Sequence, residues 1–461
     1  MRKQFKLLDS GPAFALVGVV AATFAVSDPG SRVAVPVIAL TGIGLTAMLA
    51  GRQGNPERVE FLRNLMLFGL GVRLIAFALI HMTVGPYVFA PDAFTYEGWG
   101  DALLAFFKGE APFPERLEDT LQLAYPWMNA ALFGIFGPAR AAPGIANMFF
   151  SCWTALPIYH LVLVVVRRNE VVARWAAVLT VLFPSMILWS LLNVREAPTI
   201  LTIALTLYFF ARVQQEFGLK AIAGVVVGLG VLTLFREYLT SLVAGGGVAG
   251  LVMGRGRSPK RMLLLGSVAL LTLTLAAQSF GMASTLTGEA EVLQEAQAMR
   301  VNFQFDAGSA YGVGADITSV GGALAFLPIG LLYFLFAPFP WQITSILQAI
   351  TLPEMLVWYA LMPFAWRGVR LAFRHDLRAY TPLMAIFIVV TFSYALVEGN
   401  IGTAYRHRAQ VLPIAFVFCA VGLSDWYAVR TQRRARKRSV ASNAAERVPG
   451  PPAARGPARI R

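Results

Sequence analysis

Long apolar runs alternate with short polar or basic segments along most of the chain. Three of the clearest runs are FLRNLMLFGLGVRLIAFALIHM, VVARWAAVLTVLFPSMILWSLL and RMLLLGSVALLTLTLAAQSF. Each is about long enough for one helix to cross a hydrocarbon core of ~30 Å. Counting such runs predicts an all-α polytopic membrane protein with roughly 11–13 transmembrane helices.

The order of basic segments predicts how these helices are oriented. Arg2, Lys3 and Lys6 favour a cytoplasmic N-terminus. Spans near 12–28 and 32–50 then return the chain to the basic segment GRQGNPERVEFLR, which is expected inside. The next span, near 61–83, leads outward, so the acidic segment of about 84–121 is predicted to be extracytoplasmic.

The same walk along the chain predicts a second outer loop, at about 282–320, and a cytoplasmic C-terminus. LQLAYPWMNAALFGIFG is short and interrupted by proline, which indicates an interfacial or re-entrant helix in the first outer loop. The apolar stretch near 322–337 is interpreted in the same way, because only one net crossing fits between the flanking segments. A multi-pass protein of a bacterial-type cytoplasmic (inner) membrane is expected.

Three regions of different composition follow from this topology. Residues 1–60 are predicted to hold two leading transmembrane helices, of which the first is an uncleaved helix rather than a signal peptide. Residues 61–430 form the predicted transmembrane catalytic domain, and 431–461 a disordered basic cytoplasmic tail that contacts anionic lipid.

Composition removes two other classes of protein. Hydrophobic residues make up 57% of the chain and charged residues 14%, far from the balance of a soluble domain. The net charge of +14 comes largely from the tail and from short basic loops, as expected of a membrane protein, and does not favour a nucleic-acid partner. Cys152 and Cys419 lie in apolar runs, and neither they nor the scattered histidines have metal-ligand spacing.

Charged residues gather at the predicted outer ends of the spans. Basic residues there oppose the positive-inside trend, so they either pair with the outer acids or bind a negatively charged ligand. A structural ion pair is an open alternative for Arg195–Glu196 and for Arg236–Glu237. The complete outer set is Asp92, Glu97, Asp101, Arg195, Glu196, Arg236, Glu237, Arg406, His407 and Arg408.

Several short motifs occur in an order that resembles a known superfamily. DAFTY follows an early span, AYPWMNAALFGIFG comes next, and a later span with a proline precedes the Arg-Glu-Ala of NVREA. This order resembles the GT-C membrane glycosyltransferases, and among them bacterial enzymes related to protein O-mannosyltransferases and to aminoarabinose or galacturonic acid transferases. The likeness covers about residues 61–215, with a weaker echo in GTAYRHRAQVLPIAF.

The resemblance implies an enzyme that moves a sugar from a polyprenyl-phosphate carrier to a glycan, lipid or protein acceptor at the outer membrane face. Asp92 matches the acidic residue of the first loop that acts as general base. Arg406, His407 and Arg408 suit the lipid phosphate. Further candidate substrate contacts are Tyr96, Glu97, Trp99, Asp101, Arg195, Glu196 and Arg236.

Some features leave alternatives open. The first outer loop contains no Asp-Asp or Asp-Glu pair in that order, so a divalent metal is possible but unsupported, and no cofactor is expected with certainty. The runner-up function is an O-antigen or exopolysaccharide polymerase, which a catalytic loop at about 282–320 would favour. A transporter or flippase is less favoured, because the chain shows no two similar halves.

Overall fold

The computed structural model describes residues 5–446, apart from Asp119, residues 255–288, Asp306 and Thr344. Within these residues the protein is helical and contains no β-strand, so the predicted all-α fold is confirmed. The helices are α1 Gly11–Ala25, α2 Pro29–Gly51, α3 Pro56–Met82, α4 Ala93–Phe107, α5 Ala124–Phe136, α6 Ala142–Trp153, α7 Ala155–Val165, α8 Glu170–Leu182, α9 Pro184–Leu191, α10 Glu196–Gln215, α11 Leu219–Phe235, α12 Glu237–Met253, α13 Glu289–Gln304, α14 Val320–Phe336, α15 Ile346–His375, α16 Leu377–Val397, α17 Ile401–Arg408 and α18 Leu412–Glu446.

The protein is polytopic, as the sequence predicts. In the described part of the chain, eight helical segments are long and apolar enough to cross a membrane, and the bent pair α8–α9 makes a ninth. The apolar helices α11, α12 and α14 have only 17 residues each, about 25 Å, and fall just short of that length. The predicted span near 261–281 lies outside the described residues.

Small residues allow the long helices to pack backbone against backbone. A Cβ at Gly368 of α15 would lie 2.0 Å from the carbonyl oxygen of Phe418, and one at Gly422 of α18 would lie 2.0 Å from that of Phe364. No side chain larger than hydrogen fits at either position. The close contact of α15 with α18 therefore depends on this pair of glycines.

The leading and trailing segments differ in detail from the predicted regions. α3 begins at Pro56, so the expected boundary at residue 60 falls inside a helix, and Gly11 of α1 packs directly on Asn64 of α3. At the other end, α18 continues to Glu446, past the start of the tail expected to be disordered. This extension contains Arg, Lys and Ala, which favour helix, and the first glycine or proline follows it at Pro449.

A fully buried arginine stabilises the bend between α8 and α9. Pro184 begins α9 after the 46° bend, and a break of this kind leaves backbone carbonyls without helical partners. The Arg73 guanidinium on α3 donates to the carbonyls of Val181 at 2.8 Å and Met186 at 3.3 Å, and to two serine hydroxyls at 2.8 and 2.9 Å. Arg73 thus sets the course of α9 toward residues 192–196.

Three helices outside the spans, α4, α13 and α17, form what we call the loop end of the bundle. Arg300 of α13 is buried and donates to the carbonyls of Glu398 at 2.6 Å and Tyr311 at 2.9 Å. α17 is joined to α4 by an ion pair described below. The predicted outer loops near 84–121 and 282–320 therefore contribute to one end of the molecule, apart from residues outside the described set.

Residues before and after α14 both contact the loop end of the bundle. Before it, Gly312 contacts Arg300; after it, Ala337 accepts a hydrogen bond of 2.8 Å from Arg408 at the end of α17. Pro338 then lines a cavity together with Ser309. The interpretation of the stretch near 322–337 as re-entrant or interfacial stays a prediction.

Candidate functional site

A cavity of about 850 Å³ lies at the loop end, where α4, α9, α12, α13, α16 and α17 meet. Its walls come from segments that are far apart in the sequence, so no single motif describes it. Six residues selected from the sequence line it together: Asp92, Tyr96, Arg195, Arg236, Arg406 and His407.

Asp92 stands at the edge of this cavity immediately before α4. An aspartate in this position commonly caps its helix, but Asp92 makes no capping hydrogen bond. Its Oδ2 instead accepts a hydrogen bond of 2.7 Å from Nη1 of Arg406, while 42% of the side chain remains exposed. The carboxylate is therefore oriented by a cation and still open to the cavity.

Glu196 is the anionic centre behind this wall. It begins α10, is fully buried, and forms ion pairs with Arg406 and Arg236. The Nε and Nη2 groups of Arg406 lie 2.7 and 2.9 Å from its two carboxylate oxygens. Burial opposes the charge of Arg406, but Glu196 and then Asp92 outweigh this effect and raise the pKa of the guanidinium. Arg406 consequently stays charged.

Arg236 links the acidic centre to a buried polar network. It occupies the extended break between α11 and α12, and its Nη1 lies 2.6 Å from the Tyr238 hydroxyl and 3.0 Å from Nε2 of His407. An arginine can only donate, so Nε2 accepts and Nδ1 of His407 carries the proton toward Glu398. Burial lowers the pKa of His407, although Glu398 acts in the opposite direction.

Two tyrosines continue this network along the cavity wall. The hydroxyl of Tyr238 lies 3.0 Å from that of Tyr394, which donates to Gln410 at 2.6 Å. The Tyr394 ring also stacks on His407, with centroids 4.9 Å apart. Neither tyrosine stands out in the sequence, because Tyr394 lies in an apolar run and Tyr238 is an uncharged neighbour of Arg236 and Glu237.

Arg195 differs from the other two cavity arginines in its partners. Its Nη1 donates to the Phe235 carbonyl at 3.0 Å and to the side-chain oxygen of Gln122. Among the described residues, no carboxylate forms an ion pair with it, and its buried Nε has no hydrogen-bond partner. Arg195 therefore lines the cavity with hydrogen bonds to neutral oxygens only; burial and then Arg236 lower its pKa, while Tyr96, Tyr238 and Glu196 act in the opposite direction.

Three further sequence candidates lie beside the cavity but do not line it. Glu97 faces a second cavity, of about 380 Å³, and accepts hydrogen bonds of 3.0 Å from Tyr87. Burial raises the pKa of Glu97, while the Tyr87 hydroxyl acts in the opposite direction. Asp101 pairs with Arg140 at 2.7 Å, and Trp99 packs edge-on against Tyr96.

Arg408 points away from the cavity. Residues two apart on a helix project about 200° from each other, so Arg406 and Arg408 occupy opposite faces of α17. Arg408 is buried and donates to the carbonyls of Leu335 at 3.0 Å and Ala337 at 2.8 Å. The structure thus does not bring Arg408 to the other candidate donor contacts.

Most of the remaining cavity wall is apolar. α13 presents five residues to it, and α12 and α16 add more; the sequence analysis named none of them. The α13 residues follow helical spacing, the one signal in the sequence that marks them as a common face. These residues are Leu242, Val292, Leu293, Ala296, Met299, Phe303, Leu396 and Val397.

The described residues contain no group of three or more His, Cys, Asp or Glu side chains arranged to hold a metal ion. Of the carboxylates in the site, Asp92 and Glu196 are paired with arginines, and Glu398 is paired with His407. The chemistry available in the cavity is that of an oriented carboxylate, three guanidinium groups, three tyrosine side chains and the imidazole of His407.

Comparison with known proteins adds little to this geometry. No protein-family model matches the chain, and no curated protein does. Among solved structures, it is similar to the apo form of an Archaeoglobus fulgidus oligosaccharyltransferase, with 15% sequence identity and a TM-score of 0.47. The match covers 83% of this chain and 52% of the other, so the chain spans about half of that structure's length. Because identity and TM-score are both low, the functional proposal rests on the site.

Proposed function

We propose that this protein is a glycosyltransferase of the membrane, moving a sugar from a polyprenyl-phosphate donor to a hydroxyl-bearing acceptor. The observation that carries the proposal is the shared cavity, in which Asp92 and the guanidinium groups of Arg195, Arg236 and Arg406 face an otherwise apolar wall. Such a site can bind an anionic group and an apolar chain, and it can remove a proton from a hydroxyl.

The phosphate of the donor is assigned to the arginines. Arg406 and Arg236 are already paired with Glu196, whereas Arg195 has no carboxylate partner in the described structure. Arg195 is therefore the principal phosphate contact in this proposal, with Arg236 and Arg406 adding positive potential. Cationic donors stabilise the charge that develops on the phosphate as the sugar leaves.

The polyprenyl chain is assigned to the apolar wall. Leu242 of α12, Leu293 of α13 and Leu396 of α16 lie on this wall, which adjoins short apolar helices. A hydrocarbon chain can lie against this wall without loss, because it exchanges one apolar environment, the bilayer, for another. A soluble nucleotide sugar would gain nothing from such a wall, so the arrangement favours a lipid-linked donor.

Asp92 is assigned the role of general base. The acceptor oxygen attacks the anomeric carbon of the sugar, the bond from that carbon to the phosphate oxygen breaks, and the polyprenyl phosphate leaves with the electron pair. The acceptor's proton passes to Asp92, whose carboxylate Arg406 holds toward the cavity at 2.7 Å. Among the described residues of the second loop, those that line the cavity carry no charge, which favours this transferase over a polymerase with its chemistry in that loop.

The test is incubation of the purified protein with polyprenyl-phosphate sugars in detergent and detection of released polyprenyl phosphate. Release that requires a hydroxyl acceptor and is lost in Asp92→Asn supports the proposal. Absence of release from every sugar donor, with binding of an unrelated solute, would support a transporter instead.

The proposed reaction takes place at the extracytoplasmic face, and labelling tests this part separately. A cysteine at Glu115, at the loop end, should react with a membrane-impermeant reagent added outside intact cells. A cysteine at Arg374, near the opposite end of α15, should be protected. The reverse pattern would move the reaction to the cytoplasmic face.

A further inference from the structure

A third cavity, which we call the side cavity, adjoins the main cavity at the loop end. It has a volume of about 330 Å³, and the two cavities share Phe89, Trp189 and Gly402 as lining residues. The Arg406 guanidinium lies 5.7 Å from the centroid of the Trp189 ring. The side cavity therefore borders the wall beside which Arg406 holds Asp92.

The lining of the side cavity differs chemically from that of the main cavity. No charged side chain of the described residues lines it. Its polar groups are hydroxyls and amides, including those of Ser309, Ser345 and Thr351, and its aromatic rings are Phe89, Trp189 and Tyr405. The second cavity, near Glu97, contains Asp28, His81 and Arg140 and is unlike it.

This lining selects for an uncharged ligand that carries hydroxyl groups. A charged group that entered would lose its hydration without meeting an opposite charge, at a large cost in free energy. Hydroxyl and amide side chains can exchange hydrogen bonds with a ligand's hydroxyls, and aromatic rings can cover the apolar face of a sugar ring. The volume lies near the lower end of the range for ligand pockets, roughly 300–1,000 Å³, and suits a terminal sugar unit.

We infer that the side cavity binds the acceptor, and that the acceptor is a neutral sugar whose reacting hydroxyl points past Trp189 toward Asp92. This inference rests on the proposed transferase function and names the second substrate of the same site. The charged donor phosphate and the uncharged acceptor then occupy separate, adjoining cavities. The reacting atoms of donor and acceptor then meet beside the residues that line both cavities, Phe89, Trp189 and Gly402.

Gly308 offers a way to fill the side cavity without disturbing the fold. It lines the side cavity but not the main one, and a Cβ placed there would meet no atom within 4 Å. Gly308→Phe should raise the KM for acceptor by about tenfold or more, since it removes binding space, and leave the KM for donor unchanged. Gly98→Phe is the matched control, because Gly98 also has nothing within 4 Å but lines none of the three cavities.

The probes are an alkyl glucoside and the corresponding alkyl glucuronide, which differ by one carboxylate. We expect the wild-type protein to transfer sugar to the glucoside and little to the glucuronide. Transfer to the glucoside should be lost in Gly308→Phe. Slow hydrolysis of the donor without acceptor should be equal in both proteins.

Three results would overturn the inference. Equal use of both probes would contradict a neutral acceptor, and an unchanged acceptor KM in Gly308→Phe would contradict the location. An increase in acceptor KM in Glu97→Gln alone would place the acceptor in the second cavity. A wild-type protein that releases no polyprenyl phosphate at all would instead reject the proposed function, and the inference with it.

Discussion

Two groups of buried or partly buried arginines differ in what their guanidinium groups contact. Arg73, Arg300 and Arg408 donate mainly to backbone carbonyls at places where helices bend or end. Arg195, Arg236 and Arg406 line the main cavity, and two of them share Glu196. The first group satisfies irregular backbone, whereas the second keeps positive charge available beside open space.

This difference teaches how to interpret an arginine in a membrane protein. Its burial alone does not indicate function, because a guanidinium has five donors and can satisfy several free carbonyls at once. An arginine that lines a cavity is a stronger candidate for ligand binding, even where, as in Arg195, one donor also satisfies a backbone carbonyl. Arg406 and Arg408, two positions apart on α17, represent the two cases.

The largest expected effect concerns the carboxylate that the cavity arginines orient. Asp92→Asn should retain the fold, because amide and carboxylate are nearly isosteric and the side chain is partly exposed. Turnover should fall by about 10²–10⁴-fold, the usual contribution of general-base catalysis, while the KM for donor changes little. Release of polyprenyl phosphate measures both quantities.

Asp101→Asn is the control for this change. Asp101 lies on the same helix, is exposed and pairs only with Arg140 in the described structure, so its loss should have little effect on turnover. Equal turnover in Asp92→Asn and the wild type would remove Asp92 from the mechanism.

The second-largest expected effect concerns the arginines that donate to backbone carbonyls. Arg73→Met should lower the free energy of unfolding by about 2–4 kcal/mol, since each buried acceptor left without a partner costs roughly 1–3 kcal/mol. Thermal unfolding in detergent measures the loss. The molecules that remain folded should keep the wild-type KM for donor; a selective rise in that KM at unchanged stability would place Arg73 in the functional group.

The third effect tests the unpaired cavity cation. Arg195→Ala should raise the KM for donor by about tenfold, because a hydrogen bond to a charged group contributes roughly 1.5–3 kcal/mol. Arg195→Lys should retain only part of the donor affinity that Arg195→Ala loses, if the contact with the phosphate uses two N–H groups.

Arg408→Lys is the comparison variant, because it keeps a positive charge on the opposite face of α17. Arg408→Lys should change the free energy of unfolding more than it changes the KM for donor. Wild-type donor affinity in Arg195→Ala would reassign the phosphate to Arg236 or Arg406.

The smallest effect is a dependence of stability on pH. Burial lowers the pKa of His407, so the folded protein keeps this ring neutral where the unfolded chain begins to bind a proton, near pH 6.5. Stability should therefore fall as pH decreases from about 7 to 5. His407→Gln should show a weaker dependence over this range in thermal unfolding; the same slope in both proteins would assign it to other groups.

Much of this architecture could be predicted from hydropathy alone. Apolar runs of sufficient length must form helices in a bilayer, where every backbone donor and acceptor needs a partner within its own segment. The short helices on either side of FREY and the short helix α5 follow from Pro, Gly and charged residues in the runs. The charged residues at span ends could be recognised as candidates because they oppose the positive-inside trend.

The partners of those charges could not be predicted in the same way. Asp92 and Arg406 are 314 residues apart, and Glu196 meets arginines from two other segments. Periodicity places a residue on a face of its own helix, but the facing helix depends on the packing of the whole bundle. For the same reason, a scan of charged motifs alone offered no way to separate Arg406 from Arg408.

The sequence by itself determined the helical spans, their breaks and the residues able to carry charge, because these depend on local chain chemistry and on the thickness of a bilayer. Only the tertiary structure decided which arginines donate mainly to backbone carbonyls and which line a cavity. It also decided that α13, a helix in which half of the residues are polar, supplies much of the apolar wall. These properties arise from contacts between distant segments, whose energies depend on geometry that no single segment encodes.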